Sequence, residues 1–417
     1  MPSEPNWIHD WNRTHGPECP PGCGWQLNDE TLRDGLQSPS VRDPECEEKL
    51  ALLHCMAALG IERADIGLPG AGPRARQHVR RLAEEIARAR LPLKPNCAAR
   101  TVESDLLPIA EVQQATGVEL EAAIFIGSSP IRRYAEDWTL DFLLRTIRQA
   151  LRRARELQLP IMFVTEDTTR CDPETMRVLY GAALEEGAQA LVVCDTVGHA
   201  TPAGVAALMT FFRQQILPPR GGIRLDWHGH NDRGLATANA LAALAAGADC
   251  VHACALGMGE RVGNTSMDQM LVNLRLMGAR LQDLSRLNEY CRLAADCLHL
   301  AIPPNYPVVG RDAFRTSTGV HAAAVIKSLR KQDRDLADRV YSGVPAAWFG
   351  RRQEIELGPM SGRSNVTYWL ESHGYALAPE AVEKLLAAAK ASDHVLNDAE
   401  IEAVLQCLSA SPRAANI

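Results

Sequence analysis

His228-Gly229-His230, followed by Asn231-Asp232, has the clearest capacity for chemistry in this 417-residue chain. The pair closes a run, Ile223-Arg224-Leu225-Asp226-Trp227, in which apolar and polar side chains alternate. Such alternation marks a half-buried strand. Residues i and i+2 of a strand share a face, so His228 and His230 present two imidazoles side by side. Two imidazoles on one face suit a divalent metal if a third ligand arrives from elsewhere. Asp34, in Thr31-Leu32-Arg33-Asp34-Gly35, is the candidate carboxylate, and the Asn264 amide is a candidate further ligand. That set is borderline in hardness and leaves Mg, Mn, Zn and Co open. With coordination positions to spare, such an ion can chelate a 2-oxo acid and polarise its ketone.

Positioning these groups requires a scaffold. Short apolar runs at Trp25–Asn28, Ile61–Ile66, Leu91–Asn96, Leu120–Ile126, Ile161–Thr165, Ala190–Asp195, Ile223–His228 and Asp249–Ala255 alternate with helical patterns such as Glu47–Leu59, Gln77–Ala89, Leu140–Leu157 and Asp232–Ala246. Gly60, Gly187 and Gly247 suit helix C-caps that lead into strands. Eight strand–helix units at about 30-residue spacing predict a parallel (β/α)8 TIM barrel over residues 25–284, with an open doubly wound sheet as the rival. Barrel enzymes place their catalytic groups at the C-terminal ends of strands. Arg33 and Asp34 follow the first predicted strand, Arg100 the third, Glu166 the fifth and Thr196 the sixth; His228 and His230 close the seventh, and Asn264 follows the eighth. Residues 1–24 read as an N-terminal arm. Residues 285–417 read as a linker around Pro303, Pro304, Pro307 and Gly310, an irregular loop at Tyr306–Thr318, and a small mainly helical region with helices at His321–Lys331, Val366–Glu371, Pro379–Ala391 and Asp398–Leu408.

Several of these residues have plainer explanations. Arg33 beside a metal would stabilise enolate or alkoxide charge, or it forms an ordinary salt bridge. Glu166 either faces the reaction or caps the following helix. Gly257-Met258-Gly259-Glu260-Arg261-Val262-Gly263-Asn264 is a weak phosphate-loop signal or a tight turn over the barrel mouth. Cys19 and Cys23, with His9 and His15, lack the second cysteine pair of a metal knuckle.

Composition excludes other classes. A net charge of −7 gives no electrostatic reason to expect nucleic acid or an anionic membrane as partner. No apolar run approaches the roughly 20 residues that span a bilayer, and the polar, Pro-rich N-terminus does not resemble a signal peptide. Twelve scattered cysteines favour reduced thiols in a cytoplasmic protein.

Leu32-Arg33-Asp34-Gly35, His228-Gly229-His230-Asn231-Asp232-Arg233-Gly234 and Gly259-Glu260-Arg261-Val262-Gly263-Asn264 resemble, in order, the signatures of the DRE-TIM metallolyase superfamily, and more narrowly its 2-isopropylmalate, homocitrate and citramalate synthases. The resemblance, from about Leu27 to Gly374, implies an acyltransferase: a Claisen-type condensation of acetyl-CoA, or a related acyl-CoA, with a 2-oxo acid, followed by thioester hydrolysis. It implies metal ligation by Asp34, His228, His230 and Asn264. Substrate contacts are implied at Arg33, Gln37, Arg100 and Thr196, the threonine binding the substrate carboxylate. Catalytic roles are implied for Arg33, Glu166, His321 and Tyr341. His321 and Tyr341 are similar to residues contributed across a homodimer interface, so a homodimer in amino-acid biosynthesis is the implied setting.

The chain departs from that pattern at Leu36, Ala123, Arg132, Thr316 and Ser317, near the expected oxo-acid pocket. No leucine-responsive regulatory domain is expected after the helical region. The rivals are a carbon–carbon lyase resembling 3-hydroxy-3-methylglutaryl-CoA lyase, whose loop cysteine Cys254 replaces poorly, and a non-catalytic metal or oxo-acid binding protein.

Overall fold

The computed structural model describes residues 8–13, 24–218 and 221–409. Eight parallel strands close into a barrel in chain order: β1 (Gln26–Asp29), β2 (Arg63–Asp65), β3 (Lys94–Arg100), β4 (Glu121–Gly127), β5 (Ile161–Glu166), β6 (Ala190–Asp195), β7 (Arg224–Gly229) and β8 (Cys250–Ala253). Pairing of Gln26 with Cys250 through Asp29 with Ala253 seals β1 against β8. The expected (β/α)8 barrel is therefore the fold, and the open sheet is not.

Parallel strands covered on both faces bury nearly every position, and all six residues of β6 are buried. Outward side chains such as Leu191, Val193, Leu225 and Trp227 meet the helical ring. The helix Leu140–Glu156 shows how that ring forms. Thr139 Oγ1 accepts from Phe142 N at 3.1 Å, capping the start. Leu143, Ile147, Ala150, Leu151 and Ala154 then fall on one buried face. Gly60, Gly187 and Gly247 follow helix ends with positive φ, as expected of C-caps.

Boundaries moved where local chemistry overrode periodicity. Strand β3 begins and ends later than Leu91–Asn96, because Leu91 N still bonds back to Ile86 O at the preceding helix end while Cys97, Ala98 and Ala99 continue the ladder. The helix expected at Asp232–Ala246 starts at Ala236. Asn231 to Gly234 instead forms a turn closed by Gly234 N to Asn231 O at 2.8 Å, and Asn231 Oδ1 accepts from Ala236 N.

Two compact units divide the chain, Met1–Ala301 and Ile302–Ile417. The helix Leu287–Leu298 belongs to the barrel unit, and its buried Tyr290 hydroxyl bonds to Asp29. The second unit is mainly helical, with helices at Gly319–Arg330, Arg334–Arg339, Arg363–Ser372, Pro379–Ala391 and Asp398–Ser409. The expected irregular loop contributes Arg315–Thr316 to a short parallel pairing with Glu354–Ile355. Its core gathers Leu357, Val366, Trp369, Leu370 and Leu385.

Among the described residues the cysteines are free thiols, all buried except Cys46 and Cys407. Cys19, Cys23 and His15 lie outside the described residues. No described helix is long and apolar enough to cross a membrane.

Candidate active site

Strand β7 alternates as its sequence requires. Leu225 and Trp227 face the helices, while Asp226 and His228 face the barrel interior, and His230 continues that side just past the strand. A Cβ at Gly229 would lie 2.9 Å from Trp227 Nε1. Only glycine fits between the two histidines without displacing the fully buried indole. Asp34 arrives from a turn after β1, where Arg33 N and Gly35 N both donate to Glu30 O. His228 Nε2 then lies 3.2 Å from His230 Nε2 and 3.5 Å from Asp34 Oδ2. The three ligand atoms fall within 4.8 Å of one another.

These donors fit a divalent ion. A separation of 3.2 Å is that of two nitrogens each about 2.1 Å from a common centre. Asn264 bridges to His230 through an antiparallel backbone bridge and donates Nδ2 to Asp34 Oδ2 at 2.9 Å. Its Oδ1 is buried without a hydrogen-bond partner, an unusual state for an amide oxygen and one that a cation relieves. Burial, with His228 adding to it, holds His230 down to about 4, so its ring is neutral, as ligation needs. The glycine-rich loop is the tight turn that delivers Asn264. At positive φ, a Cβ on Gly259 would overlap the Asn264 amide, and one on Gly263 would overlap Gly257 O.

A layer behind the ligands was not legible in the sequence. Glu30 Oε2 lies 2.8 Å from His228 Nδ1, and Glu30 Oε1 lies 2.9 Å from His252 Nδ1. His252 Nε2 in turn lies 3.2 Å from Asp226 Oδ2. Burial works against ionisation of Glu30, but His228, His252 and Arg33 hold it well below the carboxylate range. Burial likewise opposes charge on His252, yet Glu30 and Asp226 push it up to about 9. The available signal was a histidine in the otherwise apolar run of β8 and a glutamate four residues before Asp34.

The other expected residues fall into three groups. Arg33, Gln37, Glu166 and Thr196 line one cavity with Asp34, His228 and His230. Arg33 is neither a surface pair nor free. Its guanidinium donates to Asp65 Oδ2 at 2.7 Å, Asp34 Oδ1 at 3.0 Å and Glu30 Oε1 at 3.1 Å. Glu166 caps no helix, since Asp172 caps the helix that follows. Burial raises the Glu166 pKa, with Arg132 3.8 Å away opposing. Thr196 Oγ1 accepts from Asp167 N at 2.8 Å, which leaves its hydroxyl proton to donate. Arg261 spans the rim, paired with Asp232 and donating to Thr196 O at 2.6 Å.

Arg100 forms the second group. It does not line the cavity; its guanidinium turns back to a two-pronged pair with Asp105, both bonds 2.8 Å. His321 and Tyr341 form the third. They lie in the second unit, stacked on each other with ring centroids 4.1 Å apart.

A closed barrel carrying a carboxylate, two imidazoles and an amide at the C-terminal mouth of its strands is an enzyme scaffold with a group of side chains able to hold a metal ion. Residues 25–294 match the HMGL-like family model, and the chain belongs to that family. It is 31% identical over 370 residues to homocitrate synthase AksA of Methanopyrus kandleri, covering 87% of this chain and 86% of that protein. It is likewise 31% identical over 394 residues to 2-isopropylmalate synthase of Pyrococcus furiosus, covering 91% of this chain and 75% of the relative. Among solved structures, the Bacillus subtilis HMG-CoA lyase superposes with a TM-score of 0.57 at 20% identity, over 68% of this chain and 97% of the lyase, a likeness of fold.

Proposed function

We propose that this protein is an acyltransferase condensing acetyl-CoA, or a related acyl-CoA, with a 2-oxo acid in a Claisen-type reaction that ends in thioester hydrolysis. The observation that carries this reading is the Asp34–His228–His230 set with the partnerless Asn264 Oδ1, opening on a cavity that also holds Arg33, Glu166 and Thr196. The similarity to a homocitrate synthase and a 2-isopropylmalate synthase supports it.

Asp34, His228, His230 and Asn264 would hold a divalent ion, which would supply Lewis-acid polarisation of the ketone. The Thr196 hydroxyl donates to the substrate carboxylate, its position set by the Asp167 amide. Arg33, locked by three carboxylates, presents fixed positive charge where oxyanion charge builds. Glu166, with its pKa raised by burial, is suited to take a proton from the acyl methyl group. His321 and Tyr341 act as a stacked pair in proton transfer or water activation, contributed within a homodimer. The setting is cytoplasmic amino-acid biosynthesis. The lyase reading is weaker, because the Gly257–Asn264 loop contains no cysteine. Cys254 is buried beneath Asn264, and burial holds its thiol well above the ordinary range.

The test is thiol release from acetyl-CoA with Mg or Mn and a panel of 2-oxo acids. Release that requires an oxo acid and stops with chelator supports the condensation. Retained metal binding with no release from any pairing points to a binding protein or a lyase.

A further inference from the structure

The barrel interior is divided between two kinds of wall. Strands β7, β8, β1 and β2 carry charged or polar groups inward: Asp226, His228, His252, Glu30 and Asp65. Below Glu166, at the end of β5, and Thr196, just past β6, strands β3 to β6 carry Ala98, Ala123, Met162, Val164, Val192 and Cys194 into the same cavity. Most of these form one buried apolar cluster. In an eight-stranded closed barrel the β3–β6 arc lies across the lumen from the β7–β1 arc that carries the ligand set.

Resting on the reading of this cavity as a 2-oxo acid site, we propose that its 2-oxo acid bears an uncharged apolar side chain larger than methyl, branched or aromatic, seated against Ala98, Ala123, Met162, Val164 and Val192. The carboxylate and ketone oxygens of a 2-oxo acid lie on one edge of the molecule. Held by that edge between Thr196, just past β6, and the ligand set on the β7–β1 side, the acid projects its side chain down toward the apolar residues of β3 to β6.

Charge and size both argue for this class. A second carboxylate on the side chain would lose its hydration against these five residues and find no free cation among the described residues of the lining. The lining arginines are committed, Arg33 to Asp65, Asp34 and Glu30, and Arg261 to Asp232. Arg132, beside Glu166, pairs with Glu136, lies over the Trp138 ring and is absent from the wall. Ala98 and Ala123 stand in direct register on adjacent strands, so the wall is recessed where two larger residues would meet. The cavity as a whole is about 170 Å³, a volume the oxo acid shares with the ion and the acyl group.

The test is calorimetric titration of the magnesium-loaded protein, without acyl-CoA, using 4-methyl-2-oxopentanoate, phenylpyruvate, pyruvate and 2-oxoglutarate. The first two are expected to bind about tenfold more tightly than the last two, from added apolar burial and the absence of a cation for the distal carboxylate. Equal or tighter binding of 2-oxoglutarate overturns the proposal. Ala123→Leu is expected to lower the affinity ratio of 4-methyl-2-oxopentanoate to pyruvate about tenfold, and an unchanged ratio in folded variant also overturns it. Thiol release on the same samples separates the two levels. The expected binding order without release defeats the condensation and leaves the apolar seat standing. Release led by 2-oxoglutarate does the reverse, and no binding of any acid overturns both.

Discussion

Glu30→Gln keeps the shape of a buried side chain and removes its charge where the metal-facing histidines join the rest of the barrel. Glu30 Oε2 lies 2.8 Å from His228 Nδ1, Glu30 Oε1 lies 2.9 Å from His252 Nδ1, and Oε1 accepts from an Arg33 nitrogen at 3.1 Å. Glutamine offers a single acceptor oxygen, and its amide is a donor. It must therefore set a donor against one of those donors. A carboxylate beside Nδ1 orients the ring so that Nε2 faces the ion site. Such outer partners of a ligating histidine contribute about 10–100-fold in metal affinity, or about 1.4–2.8 kcal/mol. The metal-free variant is expected to bind Mn(II) or Co(II) weaker by that factor, measured by calorimetric titration and by the visible spectrum of the cobalt form. Loss of the charge also leaves Arg33 and His252 less well compensated, which costs about 3 kcal/mol in urea unfolding. His252→Asn leaves the His228–Glu30 contact in place and is expected to weaken metal binding less than about tenfold. Affinity within about twofold of the parent in folded Glu30→Gln, far inside the usual range, would refute the argument that this carboxylate sets the ligand.

Other perturbations reach different parts of the molecule. Gly229→Ala drives a methyl group into the Trp227 indole and is expected to cost about 1–3 kcal/mol of stability together with metal affinity; a neutral result in both assays contradicts the packing account. Glu166→Gln is expected to lower kcat about 10²–10⁴-fold while the metal titration stays unchanged, and a parallel loss of metal binding would place Glu166 among the ligands instead. At the opposite end of the barrel, Glu121 pairs with both Arg63 and Arg224. Glu121→Ala is expected to cost about 3–5 kcal/mol without altering the order of oxo-acid preference, so a changed order would tie that end to the site. The pKa of His252 is raised from 6.5 to about 9 because Glu30 and Asp226 outweigh burial. Its contribution to stability is therefore fully present below about pH 6.5 and lost as pH rises through about 9, on the order of 3 kcal/mol. Urea unfolding across that window checks it, and a flat profile counts against it.

The barrel was legible because each strand–helix unit writes its own local pattern. The His228-Gly229-His230 spacing placed two imidazoles on one face for the same reason, since strand parity is a local property. The boundaries that slipped, at β3 and at Asn231–Gly234, are places where a turn or a packing contact overrode periodicity. Arg100 stood at the right end of the right strand, yet Asp105 five residues later offers its guanidinium a closer carboxylate. The expectations for His321 and Tyr341 came from resemblance, and the fold adds that their rings stack.

By itself the sequence determined the elements, their order, and the end of each strand where polar groups collect, because backbone geometry and hydrophobic periodicity act over a few residues. It also determined that glycine stands between the histidines and through the loop before Asn264. Only the tertiary structure decided that Glu30 lies between His228 and His252, that Asn264 Oδ1 is left without a partner, and that Ala98 faces Ala123 across adjacent strands. Those facts depend on closing β8 onto β1 and on the barrel's register. Such contacts join residues more than 200 positions apart, as Asn264 joins Asp34, and no local pattern encodes them.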